Sequence, residues 1–141
     1  MRIQASAEIR AKPRQVFELY QDAAGWNQWD PEVAEAALPR GLAPGSTGWL
    51  KPIAGPRTRI RVIEVTQDRS FLVESRLPLC RMRFGHEVSE RSDGSEVVHW
   101  VEFTGPLGFL FRRLIGNSFR ESLPRTMHGL KQASEARTVA A

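Results

Sequence analysis

The sequence has little cysteine, little lysine and no long apolar run, and each shortage excludes a class of protein. Cys80 is the single cysteine among 141 residues, so the chain has no internal disulfide and no cysteine pair for zinc or redox chemistry. No apolar run approaches the roughly 20 residues that a helix needs to cross a bilayer. With 41% hydrophobic and 26% charged residues, the composition predicts a soluble globular protein.

A secretory signal is also missing from the beginning of the sequence. Residues 2–10 alternate between apolar and polar side chains, where a signal would have an apolar block and a small-residue cleavage site. We therefore expect a cytoplasmic protein. Neither repeats, low-complexity tracts nor linkers divide the sequence, and its length suits one buried core, so residues 1–141 are predicted to form one domain.

Lysine is scarce, and arginine supplies 17 of the 20 basic residues. The net charge is +4. A basic protein binds nucleic acid when its positive side chains gather on one face. Here most arginines alternate along predicted strands and have acids close by, as Arg59 and Arg61 have Glu64. That pattern is typical of a solvated surface of mixed charge, so we predict no nucleic-acid partner.

The first 29 residues predict a strand followed by two short helices. The alternation of residues 2–10 has the period of a half-buried strand. Pro13 suits a first helical turn, and apolar residues at helical spacing predict a helix over residues 13–20. A second helix is expected over residues 22–29. It has only one or two turns, because Pro31 stops it.

Two of the four tryptophans, Trp26 and Trp29, lie in that second helix. They are three residues apart, so they share one face of it. Two interpretations stay open. The indoles either fill the core as a hydrophobic plug or form a lid over a ligand cavity.

Six runs with strand character fill the middle of the chain. They cover residues 33–38, 46–52, 57–66, 70–77, 79–91 and 96–104. The connections between them are too short for the crossover helices that parallel pairing would require. The runs therefore predict one antiparallel meander.

From Leu107 the apolar spacing changes to three and four residues, which predicts one long helix over residues 107 to about 135. Pro124 leaves the carbonyl of Arg120 without a donor, so we expect a bend there. The apolar stripe of this helix comprises Leu107, Leu110, Phe111, Leu114, Ile115, Ser118, Phe119, Ser122, Leu123, Met127 and Leu130.

Two of the three histidines belong to the last pair of strands. The tetrapeptide SDGS predicts a tight hairpin with Asp93 and Gly94 at its tip, because these residues tolerate positive φ. In that register His86 faces Val101, and His99 lies diagonal to His86 on the same inner, apolar face. The two histidine Cα atoms are then about 7 to 8 Å apart, close enough to share one ligand.

Three interpretations of this histidine pair stay open. Each ring is satisfied by backbone or water, or the pair binds a polar group of a ligand, or it belongs to a metal site. No third ligand stands at a spacing that supports zinc, so neither a metal nor another cofactor is predicted. Burial lowers the pKa of both rings, so each stays neutral and can both donate and accept a hydrogen bond.

Five stretches of the sequence carry a resemblance that covers nearly the whole chain. They are IRAKPRQVFELYQD, WNQWDP, LP...MRFGHEV, VVHWVEFTGPLGFLFRRL and LPRTMHGLKQASEA. In these stretches the chain resembles the helix-grip superfamily of START domains, pollen-allergen-like proteins and the polyketide cyclase/dehydrase family. The resemblance implies an α+β fold, in which a curved antiparallel sheet of about seven strands wraps around the long C-terminal helix, with two short helices after the first strand.

The resemblance also implies a cavity between the sheet and that helix for a lipid, a polyketide, a sterol or another hydrophobic molecule. Alternation along the strands and the stripe of the helix predict which side chains line it. The predicted ligand-binding residues are Trp26, Trp29, Phe71, Val73, Met82, Phe84, His86, His99, Val101, Phe103, Leu114, Ser118 and Ser122.

Three functions fit this prediction, because binders and enzymes share the fold. The first is noncatalytic binding of a small hydrophobic molecule, which is the partner that we expect. The second is a cyclase or dehydratase, in which His86 or His99 is the general acid or base in aldol-type cyclisation or dehydration of a polyketide-like substrate. The third is a module that binds another protein. The oligomeric state stays open.

Overall fold

The computed structural model describes residues 2–140 and has an α+β helix-grip architecture. A seven-stranded antiparallel sheet curls around a long C-terminal helix, and two short helices follow the first strand. The predicted fold class is therefore confirmed.

The chain begins with one strand of the sheet and two short helices that contact other strands of it. Strand β1 covers Arg2–Ile9 and alternates between inward and outward side chains. Helix α1 covers Pro13–Gln21. It begins at proline because the fixed φ of this residue suits a first turn, where the N–H that proline lacks would have no partner within the helix. The second short helix is a 3₁₀ helix over Ala23–Gln28.

The next six strands form the predicted meander. They are β2 (Val33–Ala37), β3 (Thr47–Pro52), β4 (Thr58–Thr66), β5 (Ser70–Leu77), β6 (Cys80–Arg91) and β7 (Gly94–Thr104). Each of them pairs antiparallel with its neighbour in the chain, and β1 pairs with β7. The order across the sheet is β1-β7-β6-β5-β4-β3-β2, so β1 and β2 are its two edges.

Helix α2 covers Gly108–Ala140 and runs without interruption through Pro124, so the bend predicted near Arg120 does not end it. Side chains from the middle of this helix onward, such as Leu123 and Leu130, are buried in the core. Among residues 2–140, no helix is both long and apolar enough to cross a membrane.

The turn between β6 and β7 lies one residue earlier than predicted. Arg91 pairs with Gly94, so Ser92 and Asp93 form the turn. Gly94 is the first residue of β7 and has a φ of 148°. A Cβ at this position would collide with the carbonyl oxygen of Ile9 on the neighbouring strand. Glycine is therefore needed here for the close approach of two strands, and the expected Asp-Gly turn tip was wrong.

This correction changes which residues of β6 and β7 face each other. Every partner position moves by two residues, so side chains stay on the predicted face of the sheet, because the period of a strand is two. His86 now pairs directly with His99, and Val101 pairs with Phe84. The diagonal arrangement of the two histidines was therefore wrong, whereas their common face was right.

Candidate functional site

A partly enclosed cavity of about 230 Å³ lies between the inner face of the sheet, the 3₁₀ helix and α2. Pockets that hold drug-sized ligands measure roughly 300 to 1,000 Å³, so this cavity suits a smaller molecule. The bordering residues are Trp26, Trp29, Asp30, Glu32, Val33, Leu50, Pro52, Thr58, Ile60, Val73, Ser75, Met82, Phe84, Gly85, His86, His99, Trp100, Phe119, Ser122, Leu123 and Thr126.

His86 and His99 lie side by side on the cavity wall. The centroids of their rings are 4.5 Å apart, and the ring planes are inclined by 73°. Direct cross-strand pairing brings the two side chains this close, since they point to the same face from adjacent strands. The arrangement offers two imidazoles to one small group in the cavity.

The ring of His86 is fixed by Phe71 in two ways. It stacks on the phenyl ring, with the centroids 3.8 Å apart and the planes inclined by 3°. Its Nδ1 also lies 3.2 Å from the carbonyl oxygen of Phe71. His86 is half-buried, and it borders the cavity.

His99 is more deeply buried, with 4% of its surface exposed. Its Nε2 lies 2.8 Å from the hydroxyl of Tyr20, which projects from α1 and is fully buried. The indole of Trp29 approaches the same imidazole at 6.4 Å between centroids. Four elements of the fold therefore meet at this ring: α1, β6, β7 and the segment that follows the 3₁₀ helix.

Burial keeps both imidazoles neutral at physiological pH. Desolvation lowers the pKa of His86 to about 4, although the hydrogen bond with the Phe71 carbonyl acts in the opposite direction and raises the pKa. Desolvation also lowers the pKa of His99 well below 6.5, and the neighbouring His86 adds to this. Burial raises the pKa of Tyr20 well above 10, so this hydroxyl keeps its proton.

A second polar group borders the cavity next to the 3₁₀ helix. One carboxylate oxygen of Asp30 accepts hydrogen bonds from the backbone N–H of Glu32 at 3.0 Å and from the hydroxyl of Thr126 at 2.9 Å. Burial raises the pKa of Asp30, while these two bonds lower it. The contact with Thr126 joins the 3₁₀ helix segment to α2 at this border of the cavity.

The two tryptophans are part of the cavity wall and of the core at once. Trp26 and Trp29 are each 7% exposed and belong to the main hydrophobic cluster. Trp26 donates a hydrogen bond from Nε1 to the carbonyl oxygen of Tyr20 at 3.0 Å and stacks on Phe71. Within residues 2–140, Nε1 of Trp29 is buried and has no hydrogen-bond partner.

Eight of the thirteen predicted ligand-binding residues border the cavity. They are Trp26, Trp29, Val73, Met82, Phe84, His86, His99 and Ser122. Their role in binding a ligand stays a prediction.

Three of the other five predicted residues lie behind the wall. Phe71 is 3% exposed and is covered by the ring that stacks on it. Val101 is 1% exposed and belongs to a smaller cluster with Ile3 and Leu123. Phe103 packs against Phe119, with ring centroids 6.2 Å apart.

The remaining two, Leu114 and Ser118, do not border the cavity. Leu114 is 66% exposed. Ser118 is also exposed, and its hydroxyl donates to the carbonyl oxygen of Ile115 at 2.6 Å. The predicted apolar stripe of the helix was too wide, because two of its members, Leu110 and Leu114, are exposed.

Thirteen bordering residues were not predicted. They are Asp30, Glu32, Val33, Leu50, Pro52, Thr58, Ile60, Ser75, Gly85, Trp100, Phe119, Leu123 and Thr126. A usable signal existed for some of them. Ile60 alternates with the arginines of β4, and Phe119 and Leu123 already belonged to the predicted helical stripe. No sequence signal pointed to Asp30.

The wall of the cavity combines a largely apolar surface with a few polar side chains. In the part of the chain that the structure describes, no three His, Cys, Asp or Glu side chains are grouped so that they could hold one ion. The wall is largely apolar, and its polar side chains are Asp30, Glu32, Thr58, Ser75, His86, His99, Ser122 and Thr126.

The fold and its cavity define a class, the helix-grip proteins with a pocket between sheet and helix. Within this class the chain belongs to the family described as polyketide cyclase / dehydrase and lipid transport, whose sequence profile matches residues 1–135. No curated protein sequence is similar enough to the chain to count as a relative.

Solved structures of low sequence identity share the fold. The aromatase/cyclase Zhui from Streptomyces sp. R1128 superimposes with a TM-score of 0.78 at 12% identity, covering 98% of this chain and 95% of its own. The di-domain ARO/CYC StfQ of the steffimycin biosynthetic pathway gives 0.78 at 12% identity, over 98% of this chain and 51% of StfQ. A protein from Thermus thermophilus, TTHA0849, gives 0.73 at 20% identity, over 97% of this chain and 99% of its own. At these identities the likeness shows the fold alone.

Proposed function

We propose that the protein binds a small hydrophobic molecule, of lipid, polyketide or aromatic type, in the cavity between the sheet and α2. The observation that carries this proposal is a partly enclosed, largely apolar space of about 230 Å³ in the interior of the fold. Natural ligand sites are concave and mostly apolar, with a few polar groups that fix orientation. The histidine pair and Asp30 are such groups.

The first experiment is native mass spectrometry of the purified protein, followed by extraction of any bound molecule. We expect a retained hydrophobic compound of low mass. The protein is then stripped and titrated with 2-methylnaphthalene, and the fluorescence of the tryptophans that border the cavity, Trp26, Trp29 and Trp100, reports occupancy. A wild-type protein that retains nothing and does not respond to this probe would contradict the proposal.

Two serines of α2 provide a matched pair of variants. Ser122 borders the cavity and is half-buried, whereas Ser118, one turn earlier, is exposed. Replacing Ser122 by phenylalanine places a ring in the cavity, so we expect the affinity for 2-methylnaphthalene to fall at least tenfold. Ser118→Phe adds the same ring to the surface and leaves affinity unchanged. Equal affinities of the two variants would place the binding site elsewhere.

Catalysis by the histidine pair is a second candidate function. It is favoured by the neutral imidazole of His86, which borders the cavity and carries a lone pair. A pKa of about 4 makes this ring a weak base, so a reaction would depend on positioning more than on basicity. The test is turnover of a poly-β-ketone mimic, which His86→Gln should slow by about 10² to 10⁴ while binding is retained. An unchanged rate in this variant would remove the histidine from the mechanism.

A further inference from the structure

The partners of the histidine pair on the side away from the cavity determine which ring nitrogens carry protons. Nδ1 of His86 lies 3.2 Å from the carbonyl oxygen of Phe71, and a carbonyl can only accept a hydrogen bond. Nδ1 of His86 is therefore the protonated nitrogen. In a neutral imidazole the other nitrogen is then an acceptor, so Nε2 of His86 offers a lone pair.

The same reasoning gives His99 the opposite role. The buried hydroxyl of Tyr20 has one hydrogen-bond partner among residues 2–140, which is Nε2 of His99 at 2.8 Å. A buried hydroxyl that keeps its proton must donate it to an acceptor, so Tyr20 donates and Nε2 of His99 accepts. The proton of the neutral imidazole then lies on Nδ1, which makes His99 a donor.

Two neighbouring rings that border the cavity, with centroids 4.5 Å apart, thus carry an acceptor nitrogen on His86 and a donor N–H on His99. We propose that the histidine pair recognises a hydroxyl group of a neutral hydrophobic ligand, such as an alcohol or a phenol. The oxygen accepts from Nδ1–H of His99, and the hydroxyl proton is donated to Nε2 of His86. This inference rests on the proposed binding function and specifies the ligand class for the same cavity.

Other oxygen groups match this pair less well. A carbonyl or an ether oxygen accepts from His99 and offers no proton to His86. A carboxylate also has no proton to donate to His86. In addition, moving its charge from water into a largely apolar cavity is costly, and this cavity already borders the carboxyl groups of Asp30 and Glu32. A hydroxyl satisfies both histidines with a single atom.

Three probes of similar shape test the proposal: 2-naphthol, 2-methylnaphthalene and 2-methoxynaphthalene. Affinities are measured by tryptophan fluorescence at pH 7.5, where naphthol and both histidines are neutral. We expect 2-naphthol to bind about tenfold more tightly than the other two, since a net hydrogen bond contributes about that factor. If 2-methylnaphthalene binds as tightly as 2-naphthol, the recognition of a hydroxyl is wrong while the cavity remains a binding site. If none of the three binds, the proposed function fails as well.

A variant series assigns the preference to the pair. In His86→Phe the ring shape is kept and the acceptor is lost, so the preference for 2-naphthol should shrink to less than threefold while 2-methylnaphthalene still binds. His128 is exposed and lies outside the cavity, so His128→Phe is the control that should keep the preference. A full preference in His86→Phe would overturn the proposed contact. The wild-type series decides the hydroxyl preference by itself even if His86→Phe fails to fold.

Discussion

Phe71 and Tyr20 hold the two histidines from behind. Stacking on Phe71 fixes the plane of the His86 ring, and the carbonyl of the same residue fixes its rotation. The hydroxyl of Tyr20 fixes the rotation of the His99 ring in the same way. Because these partners are buried, moving either imidazole leaves a polar group unpaired in the core, which costs about 1 to 3 kcal/mol. The pair is therefore preorganised by residues that themselves do not border the cavity.

The lowered pKa values predict that the two histidines destabilise the protein in mild acid. The folded state does not protonate His86 until about pH 4, whereas the unfolded state takes up the proton near pH 6.5. Between these values the unfolded state binds more protons, so the free energy of unfolding falls as the pH falls. The same sign holds for His99. Each histidine contributes a slope of up to about 1.4 kcal/mol per pH unit.

Urea unfolding at half-unit steps from pH 7.5 to pH 4.5 measures this slope. His86→Gln and His99→Gln should each flatten the profile, whatever their effect on stability at pH 7.5. His128→Gln replaces the exposed third histidine and is the control for the substitution itself. Carboxyl groups titrate in all variants and cancel in the comparison. Identical slopes in all four proteins would show that the pair is protonated as easily in the folded state as in the unfolded one.

At the scale of the element, the beginning of α2 differs from its middle. Leu114, near the beginning, is 66% exposed, while Leu123, near the middle, is 8% exposed and packs with Ile3 and Val101. We expect Leu123→Ala to lower the free energy of unfolding by about 2 to 5 kcal/mol, because it leaves a hole in the core. Leu114→Ala should change it by less than about 0.5 kcal/mol. Thermal or urea unfolding measures both changes. Equal losses of unfolding free energy in the two variants would mean that Leu114 is packed as well.

The hairpin of β6 and β7 illustrates what a sequence pattern can and cannot specify. Alternation assigns each side chain to a face, and it placed His86 and His99 on the inner face correctly. It does not choose between registers that differ by two residues, since both put the same side chains inside. The observed register depends on Gly94, where only glycine allows the close approach of β1, a strand that is distant in the sequence. The direct contact between the histidines was unpredictable for that reason.

For the cavity too, the sequence pattern predicted some of the bordering residues and not others. Residues of β5, β6 and β7 were found because each strand alternates and the hairpin signal joins the last two. Val33, Leu50 and Ile60 were missed, although they are apolar and lie on strands that were predicted. Their contribution depends on how far the sheet curls, which places β2, β3 and β4 opposite the histidines. Curvature is the sum of twist and bulges over the whole sheet, and no short stretch of sequence encodes it.

At the scale of the whole molecule, six of the 20 basic residues have a described ion pair with a carboxylate. The described ion pairs are Arg2 with Glu102, Arg83 with Glu74, Arg91 with Glu96, Arg125 with Glu32, Lys131 with Glu135 and Arg137 with Glu18. They lie on five strands or their flanks and on both α-helices. Each of these pairs places a carboxylate beside a basic group, so these six basic residues do not form one uninterrupted basic face.

This distribution supports the prediction that the protein has no nucleic-acid partner. Binding to a polyanion without a focused basic face depends on a few phosphate contacts, and the affinity of such contacts falls steeply as the salt concentration rises. In fluorescence anisotropy with labelled duplex DNA and single-stranded RNA, we expect weak binding at low salt and none in the micromolar range near about 200 mM salt. The matched comparison is Arg59→Glu together with Arg61→Glu, which creates an acidic strand face on β4. A submicromolar complex that persists at the higher salt in the wild type, and disappears in this variant, would contradict the prediction and locate the binding face on β4.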